Sequence, residues 1–371
     1  MGQRAIVVGG GIMGLSAAWA LARRGWSVEL FEQENIPNER GSSVDQHRLI
    51  RFPYGAEEGY TLMVKSAFDA WARLWSDLGK AFYIETGTFA LLGQTHDWAQ
   101  QSLQTLTRLG TDVQLLRAPD VQKRWPILNI AANEEAFFLP TGGVLLARPI
   151  VAALARYLQR RGVSLNTNTA VRDVDPITAT ITLHNNKTHQ ADALVIAAGP
   201  WTERLCPSLS KRITPSRQVV FYFQPPNPEA WSSMPMLLDI DNGIYAVPPV
   251  QGTGLKVGDH DFSLIGNPDD PRTAERQELQ AMTAACEKRF KSFSRYAFET
   301  PRVCFYTVQP QERFILERHE KTTVMAGFSG HGFKFGALMG EAAAAATLNP
   351  DNAHAIKTWA AGHVKNIPFK F

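Results

Sequence analysis

The feature that most constrains this chain is a run of glycines set between two apolar segments at its start. Ala5 to Val8 is a short apolar run that reads as a buried strand, and Gly9-Gly10-Gly11-Ile12-Met13-Gly14 follows it. A helical pattern then covers Leu15 to Arg24 and stops at Gly25, a residue suited to the position after a helix. Ser27 to Phe31 reads as a second strand that ends on Glu32. The whole is a βαβ unit of roughly 30 residues holding GxGxxG at Gly9, Gly11 and Gly14. Gly9 permits the tight turn, Gly11 lets backbone approach a pyrophosphate, and Gly14 lets the helix lie close on the strand. The helix N-terminus then faces the phosphates. Glu32 lies 18 residues beyond Gly14, where a carboxylate can accept hydrogen bonds from both ribose hydroxyls and would repel a 2′-phosphate. NADP is thereby disfavoured. A lone glycine motif is weak, whereas strand, helix, second strand and terminal acid together are specific.

The fingerprint alone does not separate FAD from NAD. Two features favour FAD: the motif begins within the first ten residues, and an apolar strand, Ala191 to Ala198, ends late in the chain in Gly199 followed by Pro200-Trp201. An NAD dehydrogenase would continue with further βα units after Glu32, but here a polar loop runs from Asn35 to Gln46. The length of 371 residues exceeds one typical core and suggests two domains.

Further along, Val64, Phe68, Trp71, Trp75 and Leu78 recur at helical spacing, giving an amphipathic helix over about Tyr60 to Leu78 whose aromatic stripe reads as core. Pro149 opens another helix that ends before Gly162. Short β segments are expected at Val163 to Asn166, Ala170 to Val174 and Ile177 to Leu183. Between Pro215 and Cys304 longer β-like runs suggest an antiparallel sheet. The expected fold is α/β (α+β overall), a Rossmann-like domain beside a second domain built on a mixed, largely antiparallel sheet. The division runs 1–82, 146–212 and 305–371 for the first, with 83–145 and 213–304 for the second.

Charge and cysteine usage exclude several classes. The net charge is +3 and the 38 basic residues are scattered, without the clustering a nucleic-acid surface needs. Arg23-Arg24 and Arg160-Arg161 fall at helix ends, where the dipole favours cations. Cys206, Cys286 and Cys304 show no CxxC and no metal-ligand spacing, so no metal and no disulfide framework are expected. Leu279, Met282, Cys286 and Phe290 share helical spacing, which makes Cys286 a packed core thiol. No apolar stretch reaches the ~18 residues of a membrane span. The start lacks a secretory pattern, and Phe369-Lys370-Phe371 is not a peroxisomal address. A cytoplasmic protein is expected.

The later blocks carry a resemblance. Cys304-Phe305-Tyr306-Thr307, Glu312 to Leu316 and Ala326 to Phe335 resemble the monomeric sarcosine oxidase family of N-methyl amino acid oxidases, within the D-amino-acid-oxidase-like flavoproteins. Arg48-Leu49-Ile50-Arg51 with Tyr54-Gly55, Asn242 to Tyr245, Gly254 to Gly258 and His260 follow in the family's order over almost the full chain. The resemblance implies an FAD-dependent amine oxidase, expected as a monomer, with a small amino acid or amine and oxygen as partners and neither nucleic acid nor membrane.

Residue by residue, it implies that Cys304 carries the flavin covalently. Arg51 and Lys334 would hold the substrate carboxylate, and a planar fork beside a compact charge suits that ligand. Lys256 would promote reaction with oxygen, with Arg48 as a second cation near the flavin ring. His260 and His331 are implied as polar groups near the flavin, and Tyr245 and Tyr306 as borders of the substrate cavity. Cofactor contacts are expected from Gly9, Gly11, Ile12, Met13, Gly14 and Glu32, then Ser42, Ser43 and Arg48 in the loop that follows. Val171, Ala198, Gly199, Trp201, Cys304, Gly330, Gly332, Phe333 and Lys334 complete the set.

The implied reaction is FAD-dependent oxidation of the C–N bond of a small secondary amino acid, N-methyl or cyclic, to an imine, with oxygen giving hydrogen peroxide. Departures at Ala246-Val247-Pro248 and at Asp45-Gln46-His47 leave the substrate open among N-methyl amino acids, cyclic imino acids and a biosynthetic amine. A dehydrogenase of the same fold with another acceptor, and a flavoprotein maturation or biosynthetic factor, are the alternative readings.

Overall fold

The computed structural model describes residues 2–370. Met1 and Phe371, which end the expected segments 1–82 and 305–371 and of which Phe371 closes the C-terminal tripeptide, lie outside the described residues.

The fingerprint folds as its spacing predicts. The strand Arg4–Val8, the helix Ile12–Arg23 and the strand Ser27–Phe31 form the βαβ unit. The helix begins at Ile12, three residues earlier than the apolar pattern suggests, so Gly14 lies inside it. Glycine's poor helix propensity conceals that start in the sequence. These strands sit in a six-stranded sheet ordered Ile315–His319, Thr322–Ala326, Ala193–Ile196, Arg4–Val8, Ser27–Phe31 and Ser164–Asn166. All neighbours are parallel except the first pair.

Strand alternation supplies this sheet with two buried faces. Ala5 and Val7 pack into a core shared with the helices Ile12–Arg23, Glu58–Leu78, Ala147–Arg160 and Gly336–Leu348. Ile6 and Val8 face the other way, onto Ile181 and Leu183 of a three-stranded antiparallel sheet formed by Val171–Asp175, Thr180–Leu183 and Thr188–Gln190. The expected strand at Ile177 starts later, at Thr180, because Ala179 turns the chain with φ +55°.

The second architecture is an eight-stranded sheet. Its order is Ala297–Val308, Thr214–Gln224, Leu255–Gly258, Ile244–Val247, Met236–Asp239, Thr88–Leu92, Glu135–Leu139 and Gln114–Arg117. It is antiparallel apart from one parallel join between Met236–Asp239 and Thr88–Leu92, which matches the mixed, largely antiparallel expectation. The helix Arg276–Arg289 covers one face and buries Cys286 completely. The long strand Ala297–Val308 crosses the expected boundary at 304/305 without a break.

A small sheet unforeseen in the sequence joins Arg48–Ile50, Gly143–Leu145 and Tyr83–Glu85. It fixes the backbone that carries Arg48 and Arg51. No helix among the described residues is long and apolar enough to cross a membrane.

Candidate functional site

A cavity of about 360 Å³ opens at the carboxyl ends of the strands Arg4–Val8, Ser27–Phe31 and Ala193–Ile196. This is where ligands bind in open α/β sheets. At its floor the backbone leaves no room for side chains. Gly9 has φ +109°, and a Cβ there would lie 2.3 Å from the Ala197 carbonyl oxygen. A Cβ on Gly14 would lie 1.9 Å from the Gly9 oxygen, so Gly14 serves the close packing of helix on strand rather than the cavity wall. Gly11 caps the helix and, with Gly9, Ile12 and Met13, lines the cavity. The helix N-terminus thereby offers its backbone to an anion.

Glu32 closes one end. Its carboxylate accepts from the Gly10 N–H at 2.7 Å, the Glu34 N–H at 3.0 Å and the Asn38 amide at 3.0 Å. Burial pushes its pKa above the ordinary value, and those donors work in the opposite direction. Glu32 thus organises the glycine turn as well as facing the ribose position. Glu32→Ala is expected to lose nucleotide retention and to lower the melting temperature, while Glu32→Gln is milder. Full flavin content with unchanged melting in the alanine variant sinks the ribose assignment.

The rest of the expected cofactor set gathers here from distant segments. Ser42 and Ser43 come from the polar loop, and Ser43 Oγ accepts from the Ile12 N–H at 2.9 Å. Val171, Ala198, Gly199 and Trp201 form one wall, and Gly330, Gly332 and Phe333 another. Arg48 and Tyr306 also line the cavity. The helix N-terminus could hold the pyrophosphate of FAD and Glu32 its ribose. The donor set fits FAD. Cys304 and Lys334 do not line this cavity. Cys304 is buried on the strand Ala297–Val308, two residues from Tyr306 and so on the same strand face.

Beside Arg48 lies an ionic cluster that the sequence concealed. Lys256, 2% exposed, donates from Nζ to Asp45 Oδ2 at 2.7 Å and to the His47 carbonyl at 3.2 Å. Arg48 donates to the same Asp45 oxygen and to the Ser42 carbonyl, and Tyr222 donates its hydroxyl to the other Asp45 oxygen. Burial, then the charge of Arg48, pushes Lys256 well below the usual lysine pKa. His47 is pushed down to about 3 by burial and by Lys256, so it stays neutral. Burial raises the phenols of Tyr245 and Tyr306, and the charge of Arg48 opposes the shift in both.

A second pair of cations has no carboxylate within ion-pair distance among the described residues, although the charge of Glu312 acts on both. Arg51 and Lys334 flank one ring, Tyr54, at 5.0 and 5.2 Å from its centroid. Arg51 also lies 5.2 Å from the Trp98 ring. It donates to the Pro53 carbonyl, while its buried Nε has no hydrogen-bond partner. Lys334 donates to Tyr54 Oη at 2.9 Å and to the His331 carbonyl at 3.1 Å. Among the described residues neither cation forms an ion pair. Burial lowers both, and Arg51 lowers Lys334 further.

His331 belongs to this group. Lys334 occupies the Tyr54 oxygen, so the hydroxyl proton goes to His331 Nδ1 at 3.1 Å, and Nε2–H donates to the Glu312 carbonyl at 3.1 Å. Burial, then Lys334, keeps this imidazole neutral. His260, like Lys256, His331, Arg51 and Tyr245, is not among the residues that line the cavity. It is half exposed, with Nε2 3.3 Å from the Glu312 carboxylate. Trp98 and Asp45 are the neighbours that sequence reasoning missed as site residues. The Asp45-Gln46-His47 departure was the signal for the second.

The sequence model of the family described as FAD dependent oxidoreductase matches residues 4–346. The monomeric sarcosine oxidase of Bacillus sp. (strain B-0618) is 29% identical over 95% of this chain and 93% of its own length. The peroxisomal sarcosine oxidase of Mus musculus is 33% identical over 91% of this chain and 90% of its own. The crystal structure of L-proline dehydrogenase from P.horikoshii has the same fold, with a TM-score of 0.84 at 19% identity, covering 98% of this chain and 97% of that one. The fingerprint, the cavity beside it and matches of this extent place the chain in the FAD dependent oxidoreductase family, within its sarcosine oxidase branch.

Proposed function

We propose that this enzyme oxidises the C–N bond of a small secondary amino acid, N-methyl or cyclic, to an imine, with oxygen as acceptor and hydrogen peroxide as product. The observation that carries the reading is the pair Arg51 and Lys334, two cations around Tyr54 that among the described residues form no ion pair. A buried positive site without a counter-ion is costly unless an anion arrives, and a substrate carboxylate supplies it. The names of the sarcosine oxidase relatives point to the same class, since sarcosine is an N-methyl amino acid.

FAD, when bound, accepts the two electrons and the hydrogen of the substrate C–H bond and delivers electrons to oxygen. This chain's residues bind and orient. Arg51 and Lys334 hold the carboxylate, and neutral His331 with Tyr54 fixes Lys334 by the hydrogen bonds above. The buried aromatic surround of Tyr54, Tyr60, Phe314 and Phe335 excludes water. Lys256 supplies positive charge where negative charge develops on oxygen. Lys256→Met is therefore expected to slow aerobic reoxidation by roughly two orders of magnitude, while anaerobic reduction changes little. Equal slowing of both half-reactions in stopped flow makes Lys256 a general structural element instead.

In the same reading Cys304 carries the flavin covalently, and the chain acts as a monomer with the domain division given above. The two large sheets follow that division except at 304/305, which the strand Ala297–Val308 crosses: the six-stranded sheet draws on 4–31, 164–196 and 315–326, the eight-stranded one on 88–139 and 214–308. The deciding experiment is anaerobic flavin bleaching with secondary amino acids, primary amino acids and the amines that lack their carboxylate. Bleaching by secondary amino acids and not by the matching amines is the expected result. Equal bleaching by the amines removes the carboxylate from the reading.

A further inference from the structure

Among the described residues, Asp45 is the one carboxylate ion-paired to either Lys256 or Arg48. It touches Lys256 and Arg48 through Oδ2, and accepts from the Tyr222 hydroxyl and the Gln46 N–H (2.8 Å) through Oδ1. The side chains of Asp45 and Lys256 are 1% and 2% exposed. An ion pair sealed this far from water is held by its geometry, and breaking it leaves an uncompensated charge.

The groups around Lys256 are otherwise unhelpful to its charge. Arg48, on the strand Arg48–Ile50, and Arg302, on Ala297–Val308, both repel it. His47 is neutral. Tyr222, its cross-strand partner, has a phenol raised by burial, so it stays protonated. Cys304, from the strand Ala297–Val308, completes the set that acts on the ammonium. Without Asp45, two buried guanidinium groups and desolvation act together to strip the proton from Lys256.

We propose that Asp45 is a positioning residue that makes Lys256 a fixed positive charge beside the flavin ring, holding it and Arg48 in one triad of net charge +1. The inference rests on the functional reading for the location of the ring, and its test does not depend on turnover. It also gives the Asp45-Gln46-His47 segment a task.

The test is the midpoint potential of the bound flavin in the holoenzyme, measured against pH for wild type and Asp45→Asn. In wild type the Asp45 carboxylate, 2.7 Å from Nζ, works against the burial and the Arg48 charge that lower Lys256, and the triad is expected to keep its charge over the range measured. In the variant, Lys256 is charged at low pH, so the site holds one positive charge more, and it becomes neutral as pH rises, so the site returns to the wild-type charge. The variant's potential should exceed that of wild type at about pH 6 and converge on it by about pH 9. A difference that stays constant over this range overturns the proposal.

Lys256→Met provides a second measurement should Asp45→Asn fail to fold. Its potential should lie below that of wild type by an amount independent of pH. An offset that vanishes as pH rises shows that Lys256 titrates despite Asp45 and overturns the proposal equally. Convergence of the Asp45→Asn potentials, with oxygen reactivity unchanged in Lys256→Met, supports Asp45 as the charge-fixing residue and sinks the oxygen role of Lys256 instead.

Discussion

Replacing either Arg51 or Lys334 with alanine is expected to raise the apparent KM for a carboxylate substrate and to weaken a simple carboxylate inhibitor. The loss should be about 2–5 kcal/mol, the range found when one partner of a buried charge pair is truncated. That is roughly 30-fold to several thousand-fold in affinity. The two variants should differ in kind. Arg51 has a buried Nε with no hydrogen-bond partner, so its removal takes away a donor that the protein leaves unused. Lys334 is tied to Tyr54 and to the His331 carbonyl, so its removal also frees the Tyr54–His331 pair. Lys334→Met, which keeps the stem, separates the charge from the packing. Inhibitor binding that survives unchanged in both alanine variants dismantles the clamp, and with it the carboxylate as the substrate's anchor.

The second large effect is all-or-none. Wild-type protein denatured in acid should keep its yellow colour on the precipitate, with an intact mass raised by one FAD, and Cys304→Ala should release the flavin or give apoprotein. The other two thiols have different explanations. Cys286 is fully buried in the core under the helix Arg276–Arg289, and burial pushes its pKa up. Cys206 sits half-buried at a helix end, raised by burial to about 11. Cys304 alone is on the strand that carries Tyr306 to the cavity. Arg48, Lys256, Arg272 and Arg302 all act electrostatically on it. Positive charge in that region suits an attachment in which negative charge builds on the flavin. Flavin recovered entirely in the acid supernatant of wild type would place the chain with non-covalent relatives.

What could be read from the sequence was what is local. The βαβ unit, the amphipathic helix Glu58–Leu78 and the burial of Cys286 each follow from spacing within one segment. The site was readable only as far as resemblance carried residue types. Arg48, Arg51, Lys256 and Lys334 were named, but not their partners. Asp45 and Lys256 are 211 positions apart, and Tyr54 and Lys334 are 280 apart, so no periodicity links them. The parallel join of Met236–Asp239 to Thr88–Leu92 was hidden for the same reason. His260 lies in a loop with no regular structure, so its half-exposed position beside Glu312 was equally hidden.

That join, and the position of Thr322–Ala326 inside the six-stranded sheet, bear on how the chain is made. The nucleotide fingerprint precedes the rest of its sheet in the chain. Its sheet nevertheless lacks an interior neighbour of Ala193–Ile196 until Thr322–Ala326 has been synthesised. The eight-stranded sheet likewise waits for Ala297–Val308 to complete the edge against Thr214–Gln224. Both sheets are thus left with open hydrogen-bonding edges through most of translation, the state in which nascent chains mispair and aggregate. Pairings so distant in sequence also form slowly. The cavity, which Met325 and Phe328 help to line, is complete only once the late strand Thr322–Ala326 is made, so soluble yield should respond to chaperones before it responds to the strength of any single contact.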